Sequence, residues 1–322
     1  MRAVRITKTG GPEVLAVTDV DTPKPAAGEI LLRHEAIGLN FIDTYQRSGL
    51  YPIPLPSGLG TEAAGVVAAV GPGVTRFAVG ERAAYVTRTL GAYAELSTVS
   101  ANEAVKLPAG IDSRIAAAAL LKGLTAEALL RRTHNVGPND RVLIHAAAGG
   151  VGQIMVQWAK RLGAEVIATV GSEAKADQAR KLGADHVILY RDADVAAAVM
   201  KITGGKGVTV AYDSVGKDTF EGTLGSLATR GLFVSYGNAS GPPPPMLSSQ
   251  FARGSFFFTR PSVYHYIATP EELDTSAAAL FDVIGTGVVS VEVGQTYPLE
   301  DVRLAHEAMA SRTTLGASLL IP

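Results

Sequence analysis

The apolar positions of this chain change their period once. Up to about residue 110 they come as short β-branched runs cut by Gly and Pro, such as "GEILLRHEAIGL" (28–39) and "EAAGVVAAVGPGV" (62–74). The loops "TPKPAAGE" and "YPIPLPSGLG" separate such runs. This texture predicts a β-rich domain, a barrel. From about residue 112 a helix is predicted over "SRIAAAALLKGLTAEALLRRT", and then strands and helices alternate. Strand "RVLIHA" leads to helix "GGVGQIMVQWAKRLG", strand "EVIATVG" to helix "SEAKADQARKLG", and strand "HVILY" to helix "DVAAAVMKIT". Strand "VTVAYDSV", helix "TFEGTLGSLATRG" and strand "LFVSYG" complete the series. Val151, Ile154, Met155, Trp158 and Leu162 share one face at helical spacing. Such alternation, with near-continuous apolar strands, predicts a doubly wound parallel sheet covered on both faces. "GNASGPPPP" (237–245) ends it, Thr269-Pro270-Glu271-Glu272 announces a further helix, and a strand-like segment and a helix near 299–312 close the chain.

Length and composition sharpen this picture. The 322 residues suit two domains, and 47% hydrophobic residues against 18% charged supply both cores. A net charge of −1 argues against a nucleic-acid or polyanion partner. The chain has no cysteine, which removes disulfides, thiolate nucleophiles and cysteine-based metal sites, and fits a reducing compartment. "MRAVRITKTGG" lacks an apolar signal core, and no apolar run approaches the roughly 18 residues of a membrane span. The expectation is a soluble cytoplasmic protein.

The chemistry concentrates in "HAAAGGVG" (145–152), which follows a strand and opens a helix. Ala147, Gly149 and Gly152 occupy the three glycine positions of a dinucleotide turn. In that motif the second glycine lets the backbone approach a pyrophosphate and the third lets helix and strand pack closely. The helix N-terminus adds free N–H groups and partial positive charge. A structural turn is the plainer alternative for so short a pattern. About twenty residues on, the strand "EVIATV" should end at an acid that grips the ribose hydroxyls of NAD. Gly171, Ser172 and Lys175 stand there instead. A carboxylate would repel a 2′-phosphate, whereas Lys175 offers a cation and Ser172 a donor, so the pattern predicts NADP(H) over NAD(H). Otherwise Ser172 is a helix cap and Lys175 a solvated first-turn residue.

At these residues the chain resembles the NADPH:quinone oxidoreductases, the zeta-crystallin branch of the medium-chain dehydrogenase/reductase superfamily. "NDRVLIHAAAGGVGQIMVQWAK" (139–160) carries the resemblance, with "GLNFIDTYQRSGLYP", "LPSGLGTEAAGVV", "LLKGLTA", "YDSVG", "SYGNASG" and the terminal "SLLIP". It implies a GroES-like β-barrel domain from residues 1–120 and 260–322. A Rossmann domain over 121–259 is inserted between these parts, and NADPH lies in the cleft between the two domains. It further implies that Asn40 and Thr125 stand near the nicotinamide and that Gly150 and Val151 hold the pyrophosphate. Gly171, Ser172, Lys175 and Tyr190 would surround the 2′-phosphate and adenine, and Ser214, Gly237, Asn238 and Arg312 would complete the wall. Tyr190 is also readable as a strand-end core residue with a wet tip.

Zinc-dependent relatives place a Cys before the residues matching "FIDT" and a His within Gly-His-Glu. Here those positions hold Asn40 and Thr61, and the cysteines of a structural zinc lobe are missing. The six histidines, at 34, 134, 145, 186, 265 and 306, show no ligand spacing and read as structural. No metal is expected. An acceptor whose reduced form is already stable suits such a site, a quinone or a conjugated enone. Tyr45 and Tyr51 are the catalytic candidates, as hydrogen-bond or proton donors to the acceptor oxygen; packing at the cleft rim is their alternative. Arg47 and Arg88 have weaker claims. Quinone reduction competes with reduction of the C=C bond of an α,β-unsaturated carbonyl. It also competes with a non-enzymatic NADPH-binding role, structural or RNA-binding. Clustered Lys/Arg with interleaved aromatics is absent, which weighs against RNA. Gly216-Lys217 is followed by Asp218, unlike a P-loop, and no G-x-S-x-G elbow occurs. The run "GSFFFTRPS" (254–262) is too apolar for a free sheet edge, so it is expected to pair with its copy in a homodimer.

Overall fold

Strands form where the β-branched runs place them: β1 (Arg2–Arg5), β2 (Ala16–Asp19), β3 (Glu29–Gly38), β4 (Glu62–Val70), β5 (Arg82–Val86), β6 (Leu96–Ser100) and β7 (Ala104–Lys106). A short helix, α1 (Phe41–Ser48), lies between β3 and β4, and α2 (Ser113–Glu127) follows β7. Then come β8 (Arg141–Ile144), α3 (Gly150–Arg161), β9 (Glu165–Val170), α4 (Glu173–Lys181), β10 (His186–Leu189) and α5 (Val195–Ile202). The alternation continues with β11 (Val208–Asp213), α6 (Phe220–Gly225), β12 (Leu227–Ser235), α7 (Ser248–Ala252) and β13 (Phe257–Thr259). It closes with α8 (Pro270–Gly285), β14 (Val293–Pro298), α9 (Val302–Ala310) and β15 (Ala317–Ile321). The computed structural model describes residues 1–311 and 314–322. Its chain divides into two units, Met1–Leu124 with Ile267–Gly285 and Val291–Pro322, and Thr125–Tyr266 with Thr286–Ser290.

In the first unit β3 organises a mixed sheet of order β14-β15-β3-β4-β5-β7, with β6 also paired to β3. The C-terminal β15 sets Leu319 opposite Gly38 and Leu320 opposite Ile37, so both chain ends share one sheet. Ile30, Leu32, Ile37, Leu59, Tyr85 and Leu320 fill the core beneath it. Burying each such side chain contributes roughly 1.5–3 kcal/mol relative to exposure. Helix α8 begins as its sequence predicts: the Thr269 N–H donates to Glu272 Oε2 (3.2 Å) and the Glu272 N–H donates to Thr269 Oγ1 (3.3 Å).

The second unit is a parallel sheet of order β10-β9-β8-β11-β12-β13. From β8 the chain steps outward through β9 to β10, and from β11 it steps the other way through β12 to β13. The direction reverses between β8 and β11, the switch point where doubly wound sheets bind ligands beyond their C-terminal strand ends. On α3, Ile154, Met155 and Trp158 are buried and Val151 and Leu162 half-buried, the face its periodicity predicts. Gln157 on the same helix accepts the Ser290 N–H (2.9 Å) and donates to the Ser290 carbonyl (3.0 Å). That clamp explains why 286–290 belongs to this unit. One element departs from expectation. The stretch 219–231 predicts a helix throughout, but α6 stops at Gly225 and Leu227 opens β12. Pairing of Leu227 with Val208, and burial of its side chain, override the helical pattern. Among the described residues no helix is long and apolar enough to cross a membrane.

Candidate functional site

At the end of β8 the chain turns sharply into α3. Ala146 sits at φ +51°, a left-handed conformation that costs a non-glycine residue about 1–2 kcal/mol. The Gly149 N–H closes the turn on the Ala146 carbonyl (2.8 Å), and Gly149 caps α3 in an extended conformation. Gly152 leaves no room for a side chain, since a β-carbon there would collide with the Ala146 carbonyl oxygen. Glycine is therefore required for the turn to lie against its own helix. Gly150 and Val151 are half-buried in the first turn of α3, where unpaired N–H groups and the helix dipole favour a phosphate.

The neighbouring strand end carries the second set. Ser172 caps α4, accepting the Lys175 N–H on its hydroxyl (3.4 Å). Lys175 is half-buried in that first turn. Gly171 lies against Tyr190, whose hydroxyl would be 2.8 Å from a β-carbon at Gly171. So Gly171, Ser172, Lys175 and Tyr190 gather at the ends of β9 and β10, and no carboxylate caps α4. The third set follows β11 and β12. The Ser214 carbonyl accepts the Ala239 N–H (3.1 Å), and Gly237 passes so close to Ser214 that a β-carbon would meet its carbonyl. Asn238, buried, accepts the Gly241 N–H on its own carbonyl (2.9 Å). Thr125 lies in α2, half-buried, at the start of the second unit. Arg312 lies outside the described residues.

In the first unit the candidates surround α1. Tyr45 and Tyr51 pack edge to face, with ring centroids 5.2 Å apart, and the Tyr51 N–H donates to the Tyr45 carbonyl (3.0 Å). Phe41 extends this aromatic row, 6.3 Å from Tyr45 and substantially exposed. Asn40 caps the helix, and its side-chain amide donates to Glu62 Oε2 (2.8 Å). Glu62 is fully buried and also accepts the Leu121 N–H (2.6 Å) and the Lys122 ammonium (3.3 Å).

A second buried cluster around α1 escapes sequence reading. The Asn40 N–H and the Tyr93 hydroxyl each donate to Asp43 Oδ2 (2.8 Å), while Asp43 Oδ1 is buried with no partner. Burial pushes the Asp43 carboxyl up to about 7, against the pull of those two donors. Arg47, one of the weaker candidates, donates to His306 Nδ1 (3.1 Å), which leaves the other ring nitrogen to donate to the Tyr93 oxygen (3.1 Å). Burial, reinforced by Arg47, draws His306 down to about 3. Arg47 is thus buried in the support of α1. Arg88 is exposed. The only sequence signal for this cluster was an acid in "FIDT" amid apolar residues.

A switch-point sheet with a glycine turn on its first strand, carried in one chain with a mainly antiparallel unit, defines the class of two-domain dehydrogenases and reductases. Comparison with known proteins agrees. Residues 26–109 match the alcohol dehydrogenase GroES-like domain and residues 150–282 the zinc-binding dehydrogenase domain. A quinone oxidoreductase of Salmonella typhimurium is 53% identical over 98% of this chain and 98% of its own. The crystal structure of Escherichia coli quinone oxidoreductase complexed with NADPH is 50% identical, with TM-score 0.98 and complete coverage of both chains. A 2-haloacrylate reductase of a Burkholderia species is 46% identical over 99% of this chain and 98% of its own. The chain belongs to the quinone oxidoreductase family of the medium-chain dehydrogenase/reductase superfamily, and it is an oxidoreductase.

Proposed function

We propose that this protein is a zinc-independent NADPH:quinone oxidoreductase. The unit of residues 1–124, 267–285 and 291–322 would be its catalytic domain, and the unit of residues 125–266 with 286–290 its NADPH-binding domain. One observation carries the cofactor reading: the end of β9 offers Ser172 and Lys175 at a helix N-terminus where an NAD site holds a carboxylate. The turn at 146–152 fits a pyrophosphate, with a glycine-lined approach to free N–H groups. Gly149, Gly150, Val151 and Gly152 would hold that group. Gly171, Ser172, Lys175 and Tyr190 would hold the 2′-phosphate end, and Ser214, Gly237, Asn238, Asn40 and Thr125 the rest. The complex of the E. coli relative with NADPH supports NADPH as the cofactor.

The residues at Asn40 and Glu62 do not fit a zinc ion. Amide hydrogens of Asn40 and the ammonium of Lys122 already face the Glu62 carboxylate, and a dication would have to displace both. Among the described residues no cluster of three metal-ligating side chains occurs. When bound, NADPH supplies the hydride. A quinone also needs a proton, and the Tyr45 and Tyr51 hydroxyls are the donors we assign. Tyr51, Tyr45 and Phe41 form an aromatic row, the first pair edge to face and the second tilted, against which a planar acceptor can pack. A second reading, reduction of an activated C=C bond, draws support from the Burkholderia relative named for 2-haloacrylate.

The test is oxidation of NADPH and NADH by purified protein, with 1,4-benzoquinone, 9,10-phenanthrenequinone and an alkenal as acceptors. Quinone turnover with NADPH is expected. Turnover of the alkenal alone would replace the quinone reading with the second one. We further propose a homodimer through residues 254–262: β13 is the last strand of its sheet, with Phe257 59% and Phe258 37% exposed. A monomer throughout the micromolar range in sedimentation would overturn that.

A further inference from the structure

Beneath the strand ends of the second unit runs a chain of buried polar groups that the reaction does not use. Asp213, 1% exposed, ends β11. Its Oδ1 accepts the N–H groups of Val215 (2.8 Å) and Gly216 (3.0 Å). Its Oδ2 accepts the hydroxyls of Thr219 (2.7 Å) and Thr223 (2.8 Å). The Thr223 hydroxyl has two acceptors at 2.8 Å, Asp213 Oδ2 and the Thr219 carbonyl, and the charged carboxylate is the stronger of the two, so the hydrogen goes to Asp213. The Thr223 oxygen is then the acceptor for His145 Nε2 at 2.9 Å. Burial lowers the basicity of His145 and keeps its ring neutral, so Nδ1 carries no hydrogen and accepts the Thr169 hydroxyl at 2.8 Å. Every hydrogen along Thr169, His145 and Thr223 points toward Asp213.

Three of the four members sit where a cofactor loop begins, and Thr223 links them from α6. His145 immediately precedes the glycine turn. Thr169 stands two residues before Gly171, and its carbonyl accepts the Ala147 N–H of that turn (3.2 Å). Asp213 precedes Ser214, and its carbonyl accepts the Tyr236 N–H next to Gly237 (2.8 Å). Replacing buried charged clusters by apolar side chains of similar volume is often neutral for stability, so stability alone does not account for this network. What the network supplies is a fixed relative placement of three loops. We propose that Thr169, His145, Thr223 and Asp213 are positioning residues that preset the dinucleotide cradle, coupling the 2′-phosphate end to the pyrophosphate turn. This rests on the NADPH reading above.

Thr223→Val keeps the shape and removes the hydroxyl's contacts with Asp213, His145 and the Thr219 carbonyl, Thr223→Ser restores the hydroxyl, and Thr169→Val removes only the terminal link. The readouts are Kd for NADPH by fluorescence titration, melting temperature, and the split between KM and kcat with a quinone. We expect Thr223→Val to raise Kd and KM for NADPH about tenfold, the equivalent of one net hydrogen bond, with kcat at saturation within about twofold. Thr223→Ser returns to near the wild-type value, and Thr169→Val shifts Kd in the same direction by less. Unchanged NADPH affinity in folded Thr223→Val would overturn the proposal whatever its melting temperature; should that variant not fold, unchanged affinity in Thr169→Val does so. Wild-type protein that binds no NADPH would remove the cofactor reading itself, and this proposal with it.

Discussion

Two fully buried aspartates, one in each unit, show what a carboxylate does when its hydrogen bonds are complete and when they are not. Asp213 has donors on both oxygens and ties down the segment 213–219. Asp43 has two donors on Oδ2 and none on Oδ1, and its affinity for a proton rises into the neutral range. The first arrangement makes a rigid scaffold. The second leaves a carboxyl that burial holds up near 7, on the same short helix as Tyr45. Burial is the same in both; the count and placement of donors differ.

The largest test of that contrast is Asp213→Ala. It leaves two backbone N–H groups buried without a partner, and we expect a loss of about 3 kcal/mol in denaturant unfolding. A loss below about 1 kcal/mol would mean that water or rearrangement satisfies those donors. Next is the proton donor: replacing the donating tyrosine, Tyr45→Phe or Tyr51→Phe, should lower kcat with a quinone about a hundredfold and leave KM for NADPH unchanged. If neither single variant nor the double variant slows turnover, the proton comes from elsewhere.

The pH dependence of stability reads Asp43 directly. Burial holds the folded carboxyl up at about 7, above its ordinary 3.8, so the native state holds this proton more tightly. Asp43 therefore lowers stability as pH rises from about 4 to about 7, by at most about 1.4 kcal/mol per pH unit. His34 and His306 act oppositely. Burial holds them down to about 4 and about 3, against 6.5 in the unfolded chain. Stability from them is present above pH 6.5 and lost as pH falls toward those values. Asp43→Asn removes the opposing slope, so its stability should fall more steeply than wild type on acidification between pH 6.5 and 4. Parallel curves would show that Asp43 is ionised throughout. The smallest effect is Ser172→Ala, about 1 kcal/mol from the lost helix cap. A rise in the Kd for NADPH beyond that cost would show that the hydroxyl also meets the ligand.

The sheet of the second unit was legible because its signals are local. A strand of β-branched residues, a glycine turn and a helix with one apolar face all lie within about twenty residues of one another. The same locality makes Ser172 and Lys175 readable in the sequence as the start of a helix, α4 in the structure. The failure at α6 is instructive: Leu227 belongs to a strand only because β11 lies beside it, a partner that periodicity cannot see. Both aspartate clusters were illegible for the same reason. His145 meets Thr223 across 78 positions and Tyr93 meets His306 across 213. In sequence those histidines read only as structural.

The central claim is that Lys175 and Ser172 replace a carboxylate in order to hold a 2′-phosphate. The direct measurement is the Kd of NADPH and of NADH for the wild-type protein and for Lys175→Ala, at fixed ionic strength. Wild type should bind NADPH more tightly than NADH, and Lys175→Ala should bind NADPH about tenfold more weakly while its NADH affinity hardly moves. Equal loss for both cofactors, or no loss for either, would contradict it.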